Sequence, residues 1–283
     1  MKKNTKRIIG LLVLVAIVAV GWLSFGPKSS ESTAENKTVK VGIMSGSKND
    51  DEIWDSVAKT AKDKYNINLK FVHFTDYTQP NTALSQHSVD LNAFQHTAFL
   101  KDWNEKHHTN ITSIGDTIIT PIRLFSDKYK NVKDIPNGAT IAVPNDSTNE
   151  SRALVLLKNA GLIELKNKDG LLGLGDITKN SKNLNIKEVD ASQTPRLLNS
   201  VDASVVNGNY ATTAKLPDNK SIFTEPLNKD SKPWVNFIAA NKDQKDNDTY
   251  KKVVKAYQTK KTADLIAEKY GKTEVPAWNH KFE

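Results

Sequence analysis

The chain has 283 residues, 38% of them apolar and 25% charged, a balance that suits a globular body with ample core. Its net charge is +8, but Lys2, Lys3, Lys6 and Arg7 supply half of that excess, and no basic helix or aromatic-interleaved stripe points to a nucleic-acid partner. Cysteine is absent, which excludes disulfides, thiolate metal sites, a cysteine nucleophile and thioether lipidation.

The four early positive charges precede an uncharged run from Ile8 to Phe25. Such a run lies between a secretion-signal core of about 7–15 residues and a bilayer span of about 18 or more. Trp22 and Phe25 suit an interfacial belt, and the charges should stay cytoplasmic. Residues 1–25 are therefore expected to form a signal or anchor helix and residues 26–37 a polar linker. Residues 38–283 form the folded body, on the extracytoplasmic face of the cell membrane. An uncleaved helix would tether that body; cleavage near Ser32–Ala34 would release it.

Within the body, "TVKVGIM" alternates apolar residues as a strand does. "DDEIWDSVAKTAKDKY" follows, with Ile53, Trp54, Val57, Ala58, Ala61 and Tyr65 on one helical face. Strand-like "LKFVHF" and "VDLNAF" flank the turn-and-helix stretch "TDYTQPNTALSQHS". Then come "ATIAVP", a helix from about 148 to 160, "NIKEVD", "ASVVNGN", "WVNFIAA" and two lysine-rich helices near 247–259 and 261–270. The alternation predicts an α/β fold with mostly parallel sheet, and the length suggests two lobes.

Ligands of such sheets gather beyond the carboxyl ends of strands, where helix N-termini present free N–H groups. "VPNDSTNESRALVLLKNAG" is such a place. Ser147 with Glu150 three residues on reads as a capping box, and Arg152 then sits where the macrodipole disfavours a cation. A guanidinium placed there suits a carboxylate, which it meets with two parallel hydrogen bonds. Asn149 either joins the site or serves the loop backbone. Tyr77 in "FTDYTQP", Phe94 and His96 in "LNAFQHTAF", and Asn207 and Asn209 in "VVNGNYA" also fall at strand ends. Aromatic rings, amides and one arginine suit a small zwitterion with an apolar side chain.

"FTDYTQPNTAL", "DLNAFQHTAFL", "ATIAVPNDSTNESRALVLLKNAGLI" and "VVNGNYA", in this order from about Val39 to Pro276, resemble the NlpA family. Its members are methionine-binding proteins of methionine ABC importers, with the type II periplasmic-binding-protein fold. The resemblance implies two lobes on a hinge, lobe 1 over about 38–119 and 225–283 and lobe 2 over about 120–224. It implies capture of L-methionine between them and delivery to permease and ATPase subunits. Tyr77, Phe94 and His96 would line the side-chain pocket, Arg152 with Asn149 would hold the carboxylate, and Asn207 the amino group. Phe99 and Asn209 are further candidates. The chain departs from the family in lacking the lipid-bearing cysteine, so the N-terminal helix would be the tether. Ser147 replaces a common proline and Phe99 a tyrosine, and the latter leaves a methionine-containing dipeptide or another sulfur amino acid as alternatives.

Other classes find less support. No G-x-S-x-G accompanies the absence of cysteine, so an enzyme is not expected. His107 and His108 diverge on a helix and no H-E-x-x-H occurs, so neither metal nor cofactor is expected. A non-transport surface or adhesive protein stays open as a remote alternative.

Overall fold

The computed structural model describes residues 37–282. The expected N-terminal helix and nearly all of its linker lie outside them. Among the described residues no helix is long and apolar enough to cross a membrane.

The chain begins with β1 (Lys37–Met44), α1 (Lys48–Tyr65), β2 (Ile67–Phe74), α2 (Gln79–Ser85), β3 (Leu91–His96), α3 (Thr97–His107) and β4 (Ile111–Asp116). It crosses through β5 (Ile118–Ile119) to β6 (Arg123–Phe125), β7 (Thr140–Pro144) and α4 (Ser147–Asn159). A short pair, β8 (Glu164–Leu165) and β9 (Ile177–Lys179), precedes β10 (Asn185–Val189), β11 (Ala203–Val206), α5 (Gly208–Thr213) and β12 (Ser221–Thr224). The return brings β13 (Asn236–Asn241), α6 (Asp248–Tyr257), α7 (Lys260–Tyr270) and β14 (Val275–Pro276).

These strands make two five-stranded sheets, in the orders β2-β1-β3-β13-β4 and β10-β7-β11-β6-β12. β1 runs parallel to β2 and β3, and β7 parallel to β10 and β11. The expectation of mostly parallel sheet needs one correction. β13 is antiparallel to β3 and β4, and β6 is antiparallel to β11 and β12. Each is the strand on which the chain enters from the other lobe, so it arrives at the opposite end of its sheet. The body is thus a two-lobed α/β fold.

Local chemistry explains the elements that frame the cleft. α1 buries Ile53, Val57 and Ala61, and full burial of an Ile or Val side chain contributes roughly 1.5–3 kcal/mol. Its start is a capping box, in which Ser47 Oγ accepts from Asp50 N and the Asp50 carboxylate accepts from Ser47 N. α4 is buried almost all round: Leu154, Leu156 and Leu157 join Ile141 and Val143 in the core of the second lobe, while its first turns face the first lobe. The segments 117–122 and 225–235 connect the lobes. They are tied by Glu225 N donating to Ile122 O at 3.0 Å and Thr117 N to Asn236 O at 2.8 Å. Ile119, Val235 and Ala277 make a small core there.

Candidate ligand-binding site

β1, β3, β7 and β11 all end towards the gap between the sheets, and the loops and helix starts after them line one cavity. Tyr77, Phe94, His96, Phe99, Asn149, Arg152, Asn207 and Asn209 are all on its wall. The structure therefore brings together all eight candidate ligand-binding residues, although several make contacts that the sequence did not announce.

The start of α4 is capped differently from the expectation. Asp146, not Ser147, is the N-cap, accepting from Asn149 N at 3.0 Å. Glu150 does not reach back; its carboxylate accepts from Leu174 N at 3.1 Å. Ser147 instead reaches the first lobe, donating to Asp102 at 3.0 Å and accepting from Lys106 Nζ at 2.7 Å. A carboxylate is the stronger acceptor for the free N–H groups of a helix start, which explains why Asp146 takes the cap.

Asp146 also holds the Asn149 amide, whose nitrogen donates to both carboxylate oxygens at 3.0 and 3.1 Å. That fixes Asn149 Oδ1 towards the cavity, where it accepts from Asn207 Nδ2 at 2.7 Å and meets His96 Nε2 at 3.3 Å. The His96 tautomer follows from its other nitrogen. Nδ1 accepts from Phe99 N at 3.1 Å, capping α3, so Nε2 carries the hydrogen and donates to Asn149. Burial, and then the Arg152 guanidinium, hold the His96 pKa down to about 3, and the ring is neutral at physiological pH. Asn149 is thus a brace between Asp146, His96 and Asn207 rather than a free amide.

Arg152 is 4% exposed and is paired. Nε and Nη2 meet the Glu225 carboxylate at 2.9 and 2.5 Å, and Nη2 also donates to Thr120 O at 3.0 Å. Its guanidinium lies 4.9 Å from the Trp234 ring centroid. Thr120 belongs to one connecting segment and Glu225 and Trp234 to the other, so Arg152 is fastened to both crossings. Nη1 is left without a partner among the described residues. Of the side-chain atoms that are buried and unpaired among the described residues, two belong to the cavity wall: Asn207 Oδ1, an acceptor, and Asn209 Nδ2, a donor.

The apolar wall is aromatic. Tyr77 packs against Phe94, Phe99 and Tyr210 with centroids 6.0, 5.9 and 4.9 Å away, and Phe99 stacks on Trp103. The Tyr77 hydroxyl donates across the cleft to Asn209 Oδ1 at 2.5 Å. Behind this wall the amides of Asn81, Asn92 and Gln95 bond one another at 2.7–2.8 Å, bracing the end of β3.

Sequence reasoning missed Glu225, Trp234 and Thr120, which are brought to Arg152 by the fold from 32 or more positions away. It also missed why Gly208 sits between two asparagines: a Cβ there would lie 1.8 Å from Thr120 Cγ2. Asp50, Trp54, Tyr257 and Glu274, also on the cavity wall, carried no motif at all. His107 and His108 are exposed, and His107 stacks on Trp103. Among the described residues no cluster of three or more metal-ligating side chains occurs.

Comparison with known proteins adds an independent line. Residues 39–278 match the family model described as NlpA lipoprotein. The chain is 40% identical over 277 residues to a probable D-methionine-binding lipoprotein MetQ of Pasteurella multocida, covering 96% of this chain and 99% of that one. It superposes on the substrate-binding protein of a methionine transporter from Streptococcus pneumoniae with a TM-score of 0.81 at 45% identity, covering 85% and 96% of the two chains. A nutrient-binding protein from Burkholderia cenocepacia, solved bound to methionine, gives 0.80 at 42% identity, covering 84% and 99%.

Proposed function

The chain belongs to the NlpA lipoprotein family, and from that premise we propose that it is the extracytoplasmic substrate-binding protein of an ABC importer. In this reading it captures L-methionine between its lobes and delivers it to permease and ATPase subunits, without catalysis. Relatives named for methionine binding and methionine transport support it.

The observation that carries the reading is the set of unspent polar atoms around one cavity. Arg152 Nη1 and Asn209 Nδ2 are donors for a carboxylate, and Asn207 Oδ1 is an acceptor for an ammonium. A buried polar atom without a partner costs about 1–3 kcal/mol, a penalty that a zwitterion of matching shape removes. Tyr77, Phe94 and Phe99 then offer ring faces and edges, and a thioether gains up to about 1.5 kcal/mol from such contact. Neutral His96 is a poor countercharge for an acidic side chain. A methionine-containing dipeptide is the second reading, favoured by a cavity lining that continues past Thr117 and Ile118 to Ile53 and Trp54.

The tether belongs to the proposal as well. Relatives are lipoproteins by name, and this chain lacks the cysteine that lipidation needs, so the run Ile8–Phe25 is assigned the anchoring role. N-terminal sequencing of the mature protein would show Met1 or a residue close to it; a start near Ala34 would replace the tether by release.

A thermal-shift screen of the amino acids and a few methionyl dipeptides tests the ligand. L-Methionine or a methionyl dipeptide should give the largest shift, above leucine, glutamate and lysine. A largest shift with an acidic or a basic amino acid would remove Tyr77, Phe94 and His96 from an apolar slot.

A further inference from the structure

Past Thr117 and Ile118 the cavity wall changes chemistry. β14 pairs with β5, and this pairing sets Glu274, the residue just before β14, into the wall. Glu274 is 6% exposed, and its carboxyl has no hydrogen bond or ion pair among the described residues. Asp50 lines the same cavity from the first turn of α1, with its oxygens already accepting from Tyr270 Oη at 2.7 Å and from Ser47 N and Oγ at 2.7 and 2.9 Å. The Tyr257 hydroxyl is likewise unpartnered, and its ring packs 5.0 Å from that of Trp54, also on the wall. Arg152 is the one lysine or arginine among the lining residues, so no protein cation answers these carboxyls inside the cavity.

A largely buried carboxyl that faces a cavity without a protein partner, beside a second carboxylate, gains from a cation that binds there. Glu274 caps no helix and bridges no lobes. Two carboxyls, a hydroxyl oxygen and an indole face, with no lysine or arginine beside them, are together the electron-rich surroundings that receive an ammonium group. We infer that this part of the cavity is a subsite for an organic ammonium group, held by Glu274 and Asp50 with Tyr257 and the Trp54 ring beside it. The inference builds on the amino-acid reading of the Arg152 end and adds a second charged group to what the cavity accepts. The ammonium is carried either by the same ligand or by a small amine bound alongside it.

Proton balance gives the subsite a signature. Burial, and then Asp50, push the Glu274 carboxyl well above the usual carboxylate range. The groups that face it are Asp50 from α1, Tyr257 from α6 and Tyr270 from α7, none of them a cation. A cation arriving beside Glu274 favours the ionised carboxylate, so binding there is accompanied by proton release.

The test is calorimetric titration of the full chain at pH 7, in two buffers of different ionisation enthalpy. The probes are L-lysine, L-methionine, and methylammonium chloride added to methionine-saturated protein. L-Lysine or methylammonium should bind with net proton release, and Glu274→Gln should weaken that binding about tenfold or more and abolish the release. L-Methionine binding to the same variant should change by less than about twofold, with no proton released. A lysine response assigns the ammonium to the ligand; a methylammonium response assigns it to a separate amine. Glu274→Ala, equally neutral, guards against an effect peculiar to glutamine. Failure of both cationic probes on the parent chain overturns the subsite, as does a Glu274→Gln variant that binds them unchanged or loses methionine equally. The amino-acid reading fails separately, if Arg152→Ala binds methionine as the parent does.

Discussion

Of the five N–H groups on Arg152, three are taken by Glu225 and Thr120 O, which leaves the pair on Nη1 for a ligand carboxylate. Position in a helix start hinted that Arg152 serves an anion, and that hint was half of the answer. The anion it meets within the protein is Glu225, a side chain 73 positions away that local pattern could not connect to it. The pairing changes what mutation should do. Arg152→Ala strands a carboxylate that is 12% exposed, and breaking a buried pair in this way costs about 3–5 kcal/mol of stability as well as affinity. Arg152→Lys keeps the charge without the fork and should fall between. The double change Arg152→Met with Glu225→Gln removes both charges and should recover most of the stability while leaving methionine affinity low. Urea unfolding and calorimetry on the three variants check this. Recovered affinity in the double variant would make Arg152 a hinge residue alone.

The starts of α3 and α4 show how far element-level pattern reaches. For α4 the polar run 145–149 correctly marked a helix start, but the capping-box reading favoured Ser147 because Glu150 lies three residues on. The fold gives Glu150 another partner, Leu174 N, from a loop that local spacing cannot foresee. The start of α3 went unread because β3 runs straight into it and its cap is His96, outside the Ser, Thr, Asp and Asn set that signals a start. By contrast α1, α6 and α7 carry strong apolar periodicity and conventional caps, and were visible. Asp146→Ala should lower stability by about 1–2 kcal/mol through the cap. It should also weaken methionine binding, because Asn149 loses the carboxylate that aims its oxygen at His96 and Asn207. Ser147→Ala should stay within about 0.5 kcal/mol of the parent, since its bonds are to partly exposed Lys106 and Asp102. Equal losses in urea unfolding would return the cap to Ser147.

At the scale of the whole molecule, the strand ends that sequence marked as polar converge because both sheets point their parallel strands at one gap, a rule of α/β architecture rather than of any residue. What closes the gap was not legible, since each contact joins two lobes far apart in the chain. Tyr77 Oη donates to Asn209 Oδ1 at 2.5 Å, Tyr210 Oη to Thr75 O at 3.2 Å and Thr213 Oγ1 to Ser45 O at 3.2 Å, while Ser147 bridges to Asp102. Arg152, fastened to both connecting segments, ties the cavity to the crossings between the lobes. On the proposed reading of capture between the lobes, affinity depends on how much of the protein is closed, because a competent fraction f raises the apparent Kd by 1/f. Tyr77→Phe tests this with little change to the apolar wall: the ring keeps its packing against Phe94, Phe99 and Tyr210, and the cross-cleft bond goes. Losing a neutral hydrogen bond worth about 0.5–1.5 kcal/mol should raise Kd about 2- to 12-fold. The dissociation rate should carry most of the change, because the lobes reopen sooner, and small-angle scattering should show a larger radius for the variant at subsaturating methionine. An unchanged Kd with an unchanged radius would mean that the Tyr77 hydroxyl has no part in closure.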